Sequence, residues 1–235
     1  MKMEFFALIE KRGRKRILFH PLLCEDPTDL MKHFGLHPAN EGVDFFKIAL
    51  SCPASEDPFK LENYRLKIDA WTWEIPRWME NNRERIEKDF KEIIQDLFIV
   101  RKQIDILTGG PYIMEGCSVG KVKHAHIWGV RQSMIKLTNN SRIEYLEGCK
   151  VDRVHDTKIE AMANSFISLL EGRSFIVNMG KDAHVEKATD VALIVTMMHN
   201  STVHVLEGNA VVRNMYDEAM VYQVHEWGDA PRTVR

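Results

Sequence analysis

The pattern of apolar and polar positions divides this chain into two parts. From Gly116 to Val224 one phrase recurs: a turn residue, a small residue, an outward position, a Val or Ile, two further positions, then usually Val, Leu or Met. The Val or Ile recurs every eight residues up to Ile167 and every nine thereafter, at Val119, Ile127, Ile135, Ile143, Val151, Ile159, Ile167, Ile176, Val185, Ile194, Val203, Val212 and Val221. With no room for a crossover helix, this pattern predicts a parallel β-solenoid (β-helix) of 13 repeats of 8–9 residues over residues 111–226.

Each column of the repeat has a physical cause. Val and Ile favour extended backbone and fill a flat interior. Two positions earlier stand Cys, Ala, Ser or Thr, which fit a narrow inward corner, and Gly, Asn or Asp often precedes them and tolerates the left-handed turn. Two repeats per coil predict rungs of 16–18 residues, whereas three predict a triangular prism, and the columns do not choose between them.

Residues 1–110 predict a small α+β head domain. Phe5–Ile9 and Ile17–Phe19 form an expected hairpin, and Asp26-Pro27 is a helix start with a capping carboxylate. An amphipathic helix is predicted from Asn82 to about Leu107, with an alternative strand at Leu97–Val100. Thr108-Gly109-Gly110-Pro111 marks the expected domain junction, and residues 227–235 form a C-terminal tail.

The outward columns of the repeats change character at Phe166. In repeats four to six they carry opposite charges: Arg142/Glu144, Lys150/Asp152 and Lys158/Glu160. In later repeats they turn apolar, at Phe166, Phe175, Val177, Leu193, Val195, Val211, Met220 and Tyr222. One interpretation has these side chains rotated inward or covered by the head. The other makes them an interface for a host protein or for a second copy, giving a dimer through the C-terminal half of the solenoid.

Composition narrows the function classes. With 32 basic and 34 acidic residues, the chain lacks the single-sign field of a general nucleic-acid binder, so nucleic acid is not favoured as a partner. No apolar run is long enough to cross a bilayer, and the four scattered cysteines suit a reducing compartment. These features predict a cytoplasmic protein with no membrane partner.

Candidate chemistry is sparse. Arg12, Arg14, Lys15 and Arg16 at a hairpin tip are candidates for contacting a phosphate or a nucleic-acid backbone, although hairpin tips are commonly charged for solubility. Trp71, Trp73 and Trp78 can stack on a base or sugar, or simply fill the head. His124 and His126 alternate like metal ligands, but nothing in the sequence completes a site. We therefore expect no catalytic residues, metal or cofactor.

Two phrases carry a resemblance. Asn140-Ser141-Arg142-Ile143-Glu144-Tyr145-Leu146 and Asn200-Ser201-Thr202-Val203-His204-Val205-Leu206 resemble the Asn-Ser-x-Val-x-x-Met repeats of uncharacterised phage and prophage proteins of gut bacteria. Those proteins also place an α+β head before the repeats. The resemblance implies a viral or mobile-element origin and a role against host defences, and it supplies no catalytic residues.

Together these features predict a non-catalytic binding protein. Its most concrete form is a phage-encoded inhibitor that blocks a host macromolecule of a bacterial defence system in the host cytoplasm. One alternative is a sponge for a signalling nucleotide. Another is a sugar-binding or sugar-active β-helix, which would use the column of Glu144, Asp152 and Glu160 as paired carboxylates if they were free of their basic neighbours.

Overall fold

The computed structural model describes residues 3–11, 16–68 and 74–225. The chain divides into two compact units, Met1–Phe98 and Ile99–Arg235. The first unit is α+β and the second is a parallel β-solenoid, as the hydrophobic pattern predicts.

The described residues of the first unit form an antiparallel sheet and three helices. Its strands are β1 (Glu4–Glu10), β2 (Ile17–Leu18), β3 (Phe45–Ser51) and β4 (Arg65–Ile68), in the order β2-β1-β3-β4. The helices are α1 (Pro27–His33), α2 (Arg77–Asn81) and α3 (Arg83–Ile94), with short 3-10 turns at Pro21–Leu23, Pro38–Asn40, Leu61–Asn63 and Gln95–Leu97. The predicted cap of α1 is confirmed, since the Asp26 carboxylate accepts the Thr28 N–H at 2.7 Å.

The second unit consists of two rows of parallel strands. It begins within β5 (Phe98–Val100), which pairs with β6 (Gln103–Glu115), and continues through β7 (Ser118–Arg131). The even face comprises the first half of β7 and then β8 (Met134–Asn139), β10 (Lys150–His155), β12 (Phe166–Glu171), β14 (His184–Ala188), β16 (Thr202–Glu207) and β18 (Met220–His225). The odd face comprises the second half of β7 and then β9 (Arg142–Glu147), β11 (Lys158–Ala163), β13 (Phe175–Gly180), β15 (Leu193–Met197) and β17 (Val211–Met215).

The strand register gives two strands per coil. Lys150 pairs with Phe166, sixteen residues on, and Phe166 pairs with His184, eighteen residues on. This matches the rung of 16–18 residues and not the triangular prism. Val119 through Val203 of the central Val/Ile column are buried, as is Val221, whereas Val212 is half-buried.

The small residues before the strands form a ladder of hydroxyl groups in the coils that are built from eight-residue repeats. The Cys117 N–H donates to Ser133 Oγ at 2.9 Å and the Cys149 N–H donates to Ser165 Oγ at 3.0 Å, one coil further along. Each hydroxyl also donates to a carbonyl two residues back, as Ser165 Oγ does to Ala163. The hydroxyl therefore satisfies a buried N–H that the coil leaves open.

In the coils that are built from nine-residue repeats, the N–H of the small residue finds its acceptor within the same turn. Here the extra residue allows a turn in which the N–H of the small residue donates to the carbonyl three residues back, as Ala183 does to Gly180 and Ala192 does to Thr189, both at 3.2 Å. No hydroxyl acceptor is needed, so alanine replaces serine at Ala183, Ala192, Ala210 and Ala219. The change of period at Ile167 is therefore also a change in how the corner is hydrogen-bonded.

The structure places the boundary between the two parts earlier than the glycine-rich break. Thr108-Gly109-Gly110-Pro111 lies inside β6, where the register with β7 shifts between Leu107 and Tyr112. A Cβ on Gly110 would lie 2.0 Å from the His126 carbonyl oxygen, so this glycine permits close strand approach at an irregularity. Helix α3 ends at Ile94, short of Leu107, because Phe98–Val100 takes the alternative strand conformation.

Candidate functional site

The apolar residues predicted as one interface lie on two faces. Because consecutive strands alternate between the even and odd faces, the outward side chains of Phe166, Met220 and Tyr222 are on the even face. The other five are on the odd face: Phe175, Val177, Leu193, Val195 and Val211. The sequence pattern treats as continuous a stripe that the coil divides between two faces.

The five odd-face residues form a contiguous group, which we call the odd-face patch. Phe175 pairs with Leu193 and Leu193 with Val211 across three adjacent strands. Val177 and Val195 lie two residues further along β13 and β15, and therefore on the same side of the sheet. Val211 is exposed and the other four are half-buried, so these side chains are not rotated into the core.

A ladder of ion pairs borders the patch. His126 Nε2 lies 3.0 Å from Glu144, which also pairs with Arg142, and Arg142 lies 3.7 Å from Glu160. Glu160 in turn pairs with Lys158, whose ammonium group lies 5.9 Å from the centre of the Phe175 ring. The odd face thus passes from compensated charge to apolar surface within one coil.

The even face carries mixed polar and apolar side chains over the same coils. Phe166 stacks on His184, with ring centres 5.1 Å apart, and the His184 ring is also within hydrogen-bonding distance of Thr202 and Glu186. The His184 contact lowers the pKa of Glu186. Tyr222 lies 5.7 Å from His204. Phe166 is therefore separated from Met220 and Tyr222 by polar groups.

The carboxylate column proposed for sugar chemistry is divided in the same way. Glu144 and Glu160 lie on the odd face, whereas Asp152 lies on β10 of the even face. Glu144 and Glu160 each pair with a basic side chain. This arrangement matches a solvated charge ladder rather than an acid and base facing a substrate.

The other candidate residues do not converge where the structure describes them. Arg12, Arg14 and Lys15 lie outside the described residues, as do Trp71 and Trp73, while Arg16 is exposed. Trp78 is half-buried and packs edge-on against Phe46, with ring centres 6.0 Å apart. These observations leave the phosphate-binding hypothesis resting on the sequence.

His126 and Cys149 of the solenoid lie in an ion pair and in the packed core, respectively. His126 pairs with Glu144, and no group of three or more His, Cys, Asp or Glu side chains within the described ranges is arranged to hold a metal ion. Cys149 is buried in the small inward column, where desolvation raises the pKa of its thiol to about 11. Such a thiol is a packing group rather than a nucleophile at neutral pH.

No protein-family model, curated protein or solved structure matches this chain significantly. Among the residues that the structure describes, no helix is both long and apolar enough to span a membrane. The candidate site is therefore defined by its own geometry.

A second feature of the C-terminal coils was missed by the sequence analysis. Met215 occupies the inward column yet is 38 % exposed, whereas its counterparts Met179 and Met197 in the preceding coils are fully buried. Tyr216 beside it is 57 % exposed. The signal available in the sequence is that the repeat pattern ends after Val224.

Proposed function

We propose that this protein is a non-catalytic binding protein whose odd-face patch holds a host protein and blocks it. The observation that supports the proposal is the contiguity of Phe175, Leu193 and Val211 on three adjacent strands, extended by Val177 and Val195. Contiguous exposed apolar surface on a soluble protein marks an interaction site. The parallel strands beneath it form a rigid platform, so binding orders little of the protein itself.

The most concrete version is a phage-encoded inhibitor of a bacterial defence system that acts in the host cytoplasm. The resemblance of Asn140–Leu146 and Asn200–Leu206 to phage repeats motivates the origin. In this proposal the solenoid is thirteen units of eight or nine residues, two to a coil, and only the later units carry the binding surface. The earlier units, with their paired charges, serve as a solvated scaffold.

The two alternatives are less well supported. A nucleotide sponge depends on Arg12, Arg14 and Lys15, which lie outside the described residues. A sugar-active β-helix needs carboxylates that are free to act, and Glu144 and Glu160 are engaged with Arg142 and Lys158.

Leu193→Lys tests the proposed function. Leu193 is half-buried at the centre of the patch, so the lysine stem can lie along the sheet with its ammonium group in water until a partner covers it. In a bacterium that carries the targeted defence system, wild-type protein is expected to restore phage plating. Leu193→Lys is expected to abolish the restoration, because burying an unpaired charge at the centre of an interface costs about 2 kcal/mol or more.

Met134→Lys is the matched control. Met134 is an outward, 58 % exposed methionine on the even face of an early coil, remote in the register from the patch. The Met134→Lys substitution introduces the same charge and is expected to leave the restoration of phage plating intact. Equal activity of Leu193→Lys and wild type in a host where wild type restores plating would refute binding through this patch.

A further inference from the structure

The described part of the solenoid ends in two strand edges. Within residues 74–225, β17 pairs with β15 alone and β18 with β16 alone. Between these strands lie core side chains that no further coil of the described residues covers, including the half-buried Val212 and the 38 % exposed Met215. We call the free edges of β17 and β18, together with Val212 and Met215, the open end.

The open end has chemistry that an extended strand satisfies. A free strand edge presents a row of N–H and C=O groups, and proteins usually protect such edges with charged side chains, proline or covering elements. Val211–Met215 and Met220–His225 contain one arginine, Arg213, and no lysine, acidic residue or proline. The apolar side chains that border these edges are also exposed, Val211 by 47 %, Met220 by 43 % and Tyr222 by 41 %.

The outer edge of β4 in the first unit is a protected strand edge. In the first unit, the free edge of β4 is covered by α3: Glu87 accepts the Leu66 N–H at 2.8 Å and Arg83 donates to the Leu66 carbonyl at 2.9 Å. The described residues contain no such side-chain contact to the backbone of β17 or β18. In this respect the open end differs from the outer edge of β4.

We propose that the open end binds the open end of a second copy of this chain. A two-fold rotation perpendicular to the solenoid axis brings two identical ends together and reverses the strand direction, so the facing edges pair antiparallel. The two core columns then meet: Val212 and Met215, which already stack under Ile194 and Met197, gain equivalent apolar side chains from the other copy. A second copy thus meets the backbone edges and the exposed core together.

This dimer goes beyond the proposed function, since it uses the end of the solenoid rather than the odd-face patch. It joins two molecules so that each retains most of its patch, because Phe175, Val177, Leu193 and Val195 lie on β13 and β15, inside the edge.

Met215→Lys tests the dimer by light scattering coupled to size exclusion. In a single chain the ammonium group reaches water from this exposed position, whereas in the dimer it would be buried without a partner. Wild type is expected at twice the 27.3 kDa of one chain, and Met215→Lys at 27.3 kDa with an unchanged circular dichroism spectrum. Met134→Lys, the same substitution at an exposed methionine in an early coil, is expected to remain dimeric.

Hydrogen exchange gives a readout that does not depend on a variant folding. On concentrating wild-type protein, exchange in Val211–Met215 and Met220–His225 is expected to slow, while Lys158–Ala163 and Phe175–Gly180 stay unchanged. A wild type that stays at the mass of one chain at high concentration overturns the proposal, whatever then covers the end. So does a dimer that persists in folded Met215→Lys.

Discussion

At the scale of the residue, the small inward column carries information that hydrophobicity alone conceals. Serine and alanine there are both buried and both fit the corner, but only serine accepts an N–H from the neighbouring coil. In the eight-residue repeats a Ser or Thr hydroxyl supplies the acceptor at several of these positions, whereas alanine is sufficient where the nine-residue turn supplies its own acceptor.

Two serine-to-alanine substitutions separate these situations. Ser165→Ala removes the acceptor of the buried Cys149 N–H and is expected to cost about 1–3 kcal/mol of unfolding free energy. Ser201→Ala removes a buried hydroxyl that has no hydrogen-bond partner, and is expected to be neutral or slightly stabilising. Urea denaturation followed by circular dichroism measures both. Equal midpoints for the two variants would contradict the role assigned to the hydroxyl ladder.

At the scale of the element, α3 is held to β4 by charged groups as well as by packing. Burial of Glu87 on its own would raise the pKa of its carboxyl, but hydrogen bonds from Lys91 and from the Leu66 N–H outweigh this and lower the pKa below the ordinary value of 4.5. The ionised carboxylate therefore stabilises the fold above that value. This contribution is lost as the pH falls through the lowered pKa, where the folded protein takes up the proton.

Glu87→Gln is expected to lower the unfolding free energy by about 1 kcal/mol at neutral pH, because a neutral amide accepts the same hydrogen bonds more weakly. The deficit should shrink as the pH falls below the ordinary 4.5, since protonated Glu87 is also neutral. Glu92→Gln is the control: its pair with Lys88 spans 3.8 Å on an exposed surface and contributes little. Thermal unfolding from neutral to acidic pH measures both, and a deficit that stays constant on acidification would contradict this role.

Much of the element order could be predicted because it depends on local periodicity. The Val/Ile column identified the buried positions of the solenoid, and Asp26-Pro27 marked the start of α1. The sequence predicts the end of α3 too far along because apolar residues at helical spacing, Leu97 and Ile104, continue beyond Ile94. Within the helix, Ile93 is 43 % exposed, while Ile94 is buried. A single sequence does not show which of these two isoleucines is buried, because that depends on which face of α3 packs against the sheet.

The division of the apolar stripe could not be predicted for a different reason. Which outward residues are neighbours depends on how many repeats close one coil, and that is a property of the whole coil rather than of any repeat. With two strands per coil, Phe175 neighbours Leu193, eighteen residues away, and not Phe166, only nine away. The exposed Met215 likewise follows from where the stack ends.

At the scale of the whole molecule, different coils have different proposed roles. The coils built from eight-residue repeats carry the hydroxyl ladder and paired charges, and they act as a scaffold. The coils built from nine-residue repeats carry the odd-face patch, proposed to hold a host protein, and the open end, proposed to join two copies. If both proposals hold, the dimer presents two patches, and a host target with two copies of its own binding site would be held with increased avidity.

If the odd-face patch and the open end act separately, a substitution in one leaves the function of the other intact. Light scattering is applied to Leu193→Lys and Met215→Lys after each is co-expressed in, and purified from, the defence-bearing host. Leu193→Lys is expected to have twice the 27.3 kDa of one chain and to carry no host protein, whereas Met215→Lys is expected to carry host protein on a single copy. Loss of the host protein and of the dimer together in either folded variant would contradict this separation.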